Sequence, residues 1–204
     1  MSKKVVAIIG TYRKNHITDS AVSVLLDTAS QIGAETEKIY LLDKHIEFCT
    51  NCRKCVQEKN FALRGKCVHN DDMDQILSKI DAADAIVLAS PVNFSTVTAI
   101  MKRFIERLIP YGYWPWGSIM PKMRRDKQKP KKKAVIITSS ACPGWLARII
   151  MRNPLTIMKF AAKTIGAKVV KNIYYGTIAK TKDQKLTKKA IRKAQKAAEK
   201  LLTN

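Results

Sequence analysis

The sequence predicts an α/β protein: a five-stranded parallel sheet in the order 2-1-3-4-5, covered by helices on both faces. Three observations point there. Five strand-like runs recur along the 204 residues, at 5–9 (VVAII), 37–42, 85–89 (AIVLA), 134–138 (AVIIT) and 168–174. Segments with apolar residues at helical spacing separate them. Strands buried on both faces read as apolar runs, and right-handed crossovers then favour the doubly wound order. The length fits one domain, residues 1–204, with room for a real core.

Each element has its own warrant. The first strand ends at Gly10. Thr18 can cap a helix that carries Ala21, Val22, Leu25, Ala29 and Ile32 inward and stops at Gly33. Residues 45–70 follow the second strand and hold no period, so they read as a long cysteine-bearing loop. Asp71 or Asp72 caps the next helix, with Met73, Ile76, Leu77 and Ile80 on one face. The third strand is stopped by Ser90-Pro91. A strongly amphipathic helix follows, marked by Val97, Ile100, Met101, Phe104, Ile105 and Leu108. Residues 110–133 form a second long loop, aromatic first and basic later. Residues 145–165 read as a helix interrupted near Pro154, and residues 183–203 as a basic final helix with Leu186, Ala190, Ala194, Ala197, Ala198 and Leu201 inward.

Charge and cysteine content narrow the class. The net charge is +22. Residues 121–133 hold eight basic residues against one acid, and residues 180–204 hold nine against two, so these segments supply +14 of it. Any polyanion would attract such a chain, yet no recognition motif argues for specific nucleic acid binding. No apolar stretch approaches membrane-spanning length, and the first apolar run is too short for a secretory signal. A cytoplasmic location is expected, where thiols stay reduced. Five cysteines also exclude a complete disulfide framework.

In the doubly wound order, ligands bind beyond the C-terminal ends of strands one and three. Residues 10–18 (GTYRKNHIT) therefore matter first. They offer hydroxyls at Thr11 and Thr18, an amide at Asn15, cations at Arg13 and Lys14, and a helix N-terminus that favours an anion. The loop lacks GxxxxGK[ST] and GxGxxG, which argues against a nucleoside triphosphate or a dinucleotide held in the usual way. A terminal monophosphate suits it, and an ordinary βα loop remains the plain alternative. Residues 90–96 (SPVNFST) form a second wall that offers backbone donors and an apolar edge to a flat ring, or else a simple turn capped by Thr96. Residues 138–144 (TSSACPG) form a third.

These segments carry a resemblance. Gly10-Thr11-Tyr12-Arg13 with Thr18, then Cys67 and Asp71-Asp72-Met73, then Ser90-Pro91-Val92-Asn93-Phe94-Ser95, then Lys102-Arg103-Phe104-Ile105-Glu106-Arg107 stand in order over the first 110 residues or so. In that order the sequence resembles the NAD(P)H-dependent FMN reductase-like flavoproteins of flavodoxin-like fold. Asn93 and Ser95 depart from the family's usual Tyr and Gly. The resemblance implies a flavodoxin-like three-layer sandwich with FMN as cofactor and NAD(P)H as co-substrate. It implies a phosphate on Thr11, Arg13, Asn15 and Thr18, with Gly10 also in the cofactor site. It puts the flavin ring between Pro91, Val92, Asn93, Phe94 and Ser95 on one side and Ser139, Ser140, Ala141 and Cys142 on the other. No side chain need be catalytic, because the chemistry belongs to flavin N5. His16, His45 and His69 are scattered and read as surface or structural. The resemblance also implies a homodimer.

The stretch EFCTNCRKC places Cys49, Cys52 and Cys55 at two-residue gaps, with Cys67 eleven residues on. That is the spacing of the first three ligands of a bacterial [4Fe–4S] site. The iron–sulfur flavoprotein branch of the resembled family carries cysteines at this place, with a shorter final gap. A cluster, packed thiols without metal, and zinc all stay open. Residues 111–116 (YGYWPW), next to the basic run, read as a lid or subunit contact, or as a peripheral membrane contact beside which a quinone acceptor makes sense. The leading expectation is an FMN oxidoreductase passing electrons from NAD(P)H to a small-molecule or protein acceptor. The rivals are an electron-transfer protein that does not use NAD(P)H directly, and a membrane- or RNA-associated module without cofactor.

Overall fold

The structure is a computed structural model that describes residues 2–59, 63–124, 132–143, 145–146 and 152–203. Its main sheet contains β1 (Lys4–Ile9), β2 (Glu35–Tyr40), β3 (Ala85–Pro91), β6 (Lys132–Ser139) and β7 (Ala167–Tyr175). All neighbours are parallel, and the order is β2-β1-β3-β6-β7. Without the small ribbon β4 (Gly112–Tyr113) and β5 (Lys122–Met123), this is the expected order 2-1-3-4-5.

Alternation along β1 shows why the run had to be apolar throughout. Val5, Ala7 and Ile9 pack with helices α1 (Ile17–Gln31) and α5 (Lys188–Leu202). Val6 and Ile8 pack with α2 (Met73–Ala82), α3 (Ala99–Glu106) and α4 (Asn153–Thr164) on the other face. These five of the six β1 residues are fully buried. Each valine and isoleucine among them contributes about 1.5–3 kcal/mol through removal of apolar surface from water. In α5, Ala194, Ala197, Ala198 and Leu201 are buried, as the inward stripe requires.

Several element ends differ from the expectation. β2 lies two residues earlier, because it is an edge strand whose register is set by Lys4↔Glu35 rather than by its own apolar content. Leu41 instead enters a short 3₁₀ turn and is buried there. Thr18 is not the α1 cap; His16 is, and Thr18 sits inside the first turn. Gly33, at φ +91°, ends α1 as expected. At α3 the cap is Thr98, not Thr96, with its hydroxyl accepting from the Met101 amide at 3.3 Å. Residues 145–146 are helical and Arg152 is not, so a break near Pro154 agrees with the expectation; Pro154 itself lies in the first turn of α4, where the missing amide costs nothing. Residues 147–151 of the expected helix and 125–131 of the basic run lie outside the described residues. Among the described residues no helix is long and apolar enough to cross a membrane.

Candidate functional site

The C-terminal ends of β1, β3 and β6 bring the three expected walls together. Gly10 donates its amide to the Ala89 carbonyl at 2.8 Å, and its carbonyl accepts from the Thr98 hydroxyl at 2.6 Å. A Cβ on Gly10 would stand 2.6 Å from the Met101 Cβ, so only glycine lets this loop lie against α3. Thr11 and Thr18 are buried. Thr11 Oγ1 accepts from the Arg13 amide at 3.2 Å, while the Thr18 and Ser139 hydroxyls share a buried hydrogen bond of 2.7 Å. That last bond ties the β1 loop to the end of β6. The Val92 amide donates to the Ser139 carbonyl at 2.7 Å and ties in the β3 loop.

Donor chemistry at this edge suits an anion. The His16 side chain makes no capping hydrogen bond, so the fifteen-residue helix α1 keeps the partial positive charge of its N-terminus without a side-chain cap. Arg13 and Asn15 are exposed beside it, and Asn15 takes φ +63°. Lys14 is not part of this set; it pairs with Asp43 at 2.6 Å. Thr138 contributes a buried hydroxyl with no hydrogen-bond partner among the described residues, at the register position of Ser90 and Tyr174.

The β3 loop is a tight turn. Asn93 and Thr96 exchange backbone hydrogen bonds of 2.8 and 3.0 Å, and both central residues, Phe94 and Ser95, have positive φ. Two non-glycine residues in that region cost about 1–2 kcal/mol each. The turn holds the Phe94 ring entirely in solvent at the rim of the site. At the third wall, Ser140 donates its amide to Tyr175 and its hydroxyl meets the Tyr174 hydroxyl. Its Oγ also accepts from the Cys142 amide at 3.2 Å. Gly144 of this wall lies outside the described residues.

One buried acid beneath the β1 loop escaped the sequence reading. Asp19, 1% exposed, accepts from the Asn15 amide at 2.6 Å, the Tyr40 hydroxyl at 2.8 Å and Lys38 Nζ at 3.2 Å. Burial works against the Lys38 ammonium, but its hydrogen bonds to Tyr40 and Asp19 outweigh that and raise its pKa. Lys38 thus partly offsets the Asp19 charge in the first turn of α1.

The second cluster of chemistry is the cysteine loop. Cys49, Cys52, Cys55 and Cys67 line one cavity of about 10 Å³, together with His69 and Arg107. Burial first, then the neighbouring Cys67, Cys49 and Cys52, push the Cys55 thiol up to about 11. Cys55 is therefore a protonated thiol at neutral pH and a poor nucleophile. Arg107, 2% exposed, donates to Asp71 at 2.6 and 3.2 Å, to the Glu47 carbonyl at 2.8 Å and to Cys67 Sγ at 3.5 Å. His69 Nε2 and Arg53 Nε are buried with no hydrogen-bond partner among the described residues. Among those residues, no three His, Cys, Asp or Glu side chains are gathered closely enough to hold a metal ion. Four cysteine sulfurs suit a four-iron cluster by donor type, while the cavity between them, about 10 Å³, leaves no room for one as the loop stands. Cys142 sits apart, at the third wall.

Residues 3–170 match the family model described as NADPH-dependent FMN reductase. An iron–sulfur flavoprotein of Archaeoglobus fulgidus is 38% identical over 112 residues, which is 55% of this chain and 48% of that protein. One from Methanocaldococcus jannaschii is 39% identical over 107 residues, 52% of each. The chain thus spans about half the length of the curated relatives it matches. Among solved structures, an NAD(P)H:quinone oxidoreductase from Methanothermobacter marburgensis has a TM-score of 0.74 at 18% identity, covering 100% of this chain and 98% of the other. An FMN-dependent NADH-azoreductase from Bacillus anthracis, in complex with FMN, has a TM-score of 0.70 at 11% identity over the full length of both. At these identities the two structures speak for the fold.

Proposed function

The chain belongs to the NADPH-dependent FMN reductase family, and from that premise we propose that it is an FMN-dependent oxidoreductase that passes electrons from NAD(P)H to a small-molecule acceptor such as a quinone. One observation carries the reading: buried hydroxyls of Thr11, Thr18 and Ser139 meet an α1 N-terminus without a side-chain cap at the switch point of the sheet. The phosphate of FMN would rest on Thr11, Arg13, Asn15, Thr18 and the α1 amides. Pro91 to Ser95 and Ser139 to Ala141 would border the ring. Bound FMN supplies hydride acceptance and onward electron transfer. The chain's own residues bind and orient: Gly10 admits close approach, the Thr18–Ser139 bond fixes two walls, and Phe94 borders the rim. Two copies would form a homodimer.

The four thiols favour a second, compatible feature. Cys49, Cys52, Cys55 and Cys67 would hold a [4Fe–4S] cluster, in keeping with the relatives named iron–sulfur flavoproteins. Such a cluster supplies one-electron transfer. Arg107 would donate to the Cys67 sulfur, as it does at 3.5 Å in this structure.

Titration of the apo protein with FMN tests the main reading: flavin fluorescence should be quenched, and anaerobic NADPH should then bleach the ~450 nm band of the bound cofactor. No quenching sinks the FMN site; quenching without reduction by NADPH or NADH leaves an electron-transfer protein instead. Iron and sulfide analysis of anaerobically purified protein, beside a Cys55→Ala variant, decides the cluster.

A further inference from the structure

Neither site accounts for the hairpin that joins β4 to β5. Its tip is apolar and stands in water: Trp116 is 68% exposed, Ile119 94% and Met120 72%. The base is firmly held. The Trp114 amide donates to the Val56 carbonyl at 2.8 Å, and the Trp114 indole N–H to the Ser118 carbonyl at 2.8 Å. The Arg53 guanidinium lies 4.2 Å from the Trp114 ring centre and 4.1 Å from that of Trp116. Gln57 accepts from the Trp116 amide at 2.9 Å. An ordered knob of exposed apolar side chains has no reason within the fold. Beside it lies an apolar cavity of about 220 Å³ between Trp114, Pro121, Met123, Leu108 and Phe160. Phe160 is 69% exposed, and Lys122, Lys159 and Lys163, each next in sequence to a lining residue, are exposed as well. The cavity's only lining acid among the described residues, Glu106, is paired with Lys102 at 2.5 Å.

Shape and charge choose the occupant. A second copy meeting this face with its own would set the same lysines against each other, so the homodimer proposed above would use another surface. A convex knob needs a socket in a protein partner, whereas a fluid interface receives it without one. Trp suits the boundary between headgroups and acyl chains. Reversible membrane attachment needs two signals, and an apolar insertion beside basic residues provides both. We propose that residues 116–120 and the lysine rim dock the protein on an anionic lipid bilayer, with Trp116, Ile119 and Met120 inserted at the headgroup boundary.

The test is vesicle co-sedimentation of the full chain as purified. Phosphatidylcholine vesicles are compared with vesicles containing phosphatidylglycerol, in low and high NaCl. The anionic vesicles should bind the wild type, with a blue shift of Trp emission that a Trp116→Phe variant diminishes. Ile119→Asp should weaken binding about ten-fold or more, the loss expected when one buried aliphatic side chain is replaced by a charge. Ile119 is so exposed that this variant should melt like the wild type, and Met120→Asp serves as an independent second variant. Equal binding by wild type and both Asp variants would overturn the proposal in favour of adhesion through basic segments alone. Absence of vesicle binding overturns it too. If Ile119→Asp instead turns a dimer into a monomer by sedimentation velocity, with no effect on vesicles, the knob is a subunit contact and the proposal fails.

Discussion

Arg107 and Asp71 form the most deeply buried ion pair among the described residues, with side chains 2% and 1% exposed. The pair joins the β2–α2 connection to the end of α3 and places a guanidinium on Cys67. Burial alone would raise the Asp71 pKa, but hydrogen bonds from Arg107 and from the Glu47 and Met73 amides outweigh it and lower it. A depressed carboxyl pKa stabilises the fold above the unfolded-state value, and that contribution is lost as pH falls through the folded one. Asp71→Asn leaves the Arg107 charge buried and only partly satisfied, which typically costs about 3–5 kcal/mol. Urea melts of wild type and variant should show this gap in full at neutral pH and see it shrink below about pH 4. A gap that stays constant into acid would mean that charge is not the cause. Thr18 makes a second prediction at this scale. Thr18→Val leaves the buried Ser139 hydroxyl without its 2.7 Å partner. About 1–3 kcal/mol of stability should go, and FMN affinity should fall about ten-fold through loss of a phosphate donor. Calorimetric titration alongside a thermal melt measures both. Unchanged affinity would place the phosphate elsewhere.

At the scale of elements, what the sequence disclosed depended on whether the cause was local. The strands at 5–9 and 134–138 were legible because burial on both faces forces unbroken apolar runs. The loops after strands one and three followed from topology, and the loop after strand four was named beside them as a third wall. The cap of α1 was not legible: Thr18 is a good cap by preference, but its hydroxyl is engaged by Ser139, 121 residues away. The Asp19–Lys38–Tyr40 network spans two elements, and no spacing announces it. Arg107 and Asp71 both lay within quoted motifs, yet only the fold shows them as partners across 36 residues. The turn at Phe94-Ser95 was hidden for another reason: turns with two positive φ values are usually signalled by Gly or Asn at the central positions, and here neither stands there. That hidden strain is measurable. Ser95→Gly removes the left-handed penalty at φ +64° and should stabilise the apo protein by about 1 kcal/mol. Denaturant unfolding should show a higher midpoint at unchanged slope. A lower midpoint would mean that glycine's extra freedom in the unfolded chain outweighs the relieved strain.

For the whole molecule the governing quantity is the net charge of +22. Two electrostatic effects oppose each other. Like charges repel throughout the folded chain, most of all along the outer face of α5, where Lys188, Lys189, Arg192, Lys193, Lys196 and Lys200 stand against the single acid Glu199. Ion pairs such as Lys4–Glu35 and Lys14–Asp43 pull the other way, but their partners are 30–61% exposed. Exposed pairs of this kind contribute about 0–1 kcal/mol each. Salt weakens both effects, since the screening length is about 10 Å at 0.1 M. It weakens the repulsion more, because that acts over longer distances among many charges, while Arg107–Asp71 and Lys38–Asp19 are shielded from solvent. The melting temperature should therefore rise as NaCl increases from about 0.02 to 0.5 M, with most of the gain in the first few tenths molar, where the Debye length shortens fastest. Differential scanning calorimetry over that series checks the sign. A melting temperature that falls with salt would mean that the ion pairs outweigh the repulsion, and that the basic charge is balanced locally more fully than the sequence suggests.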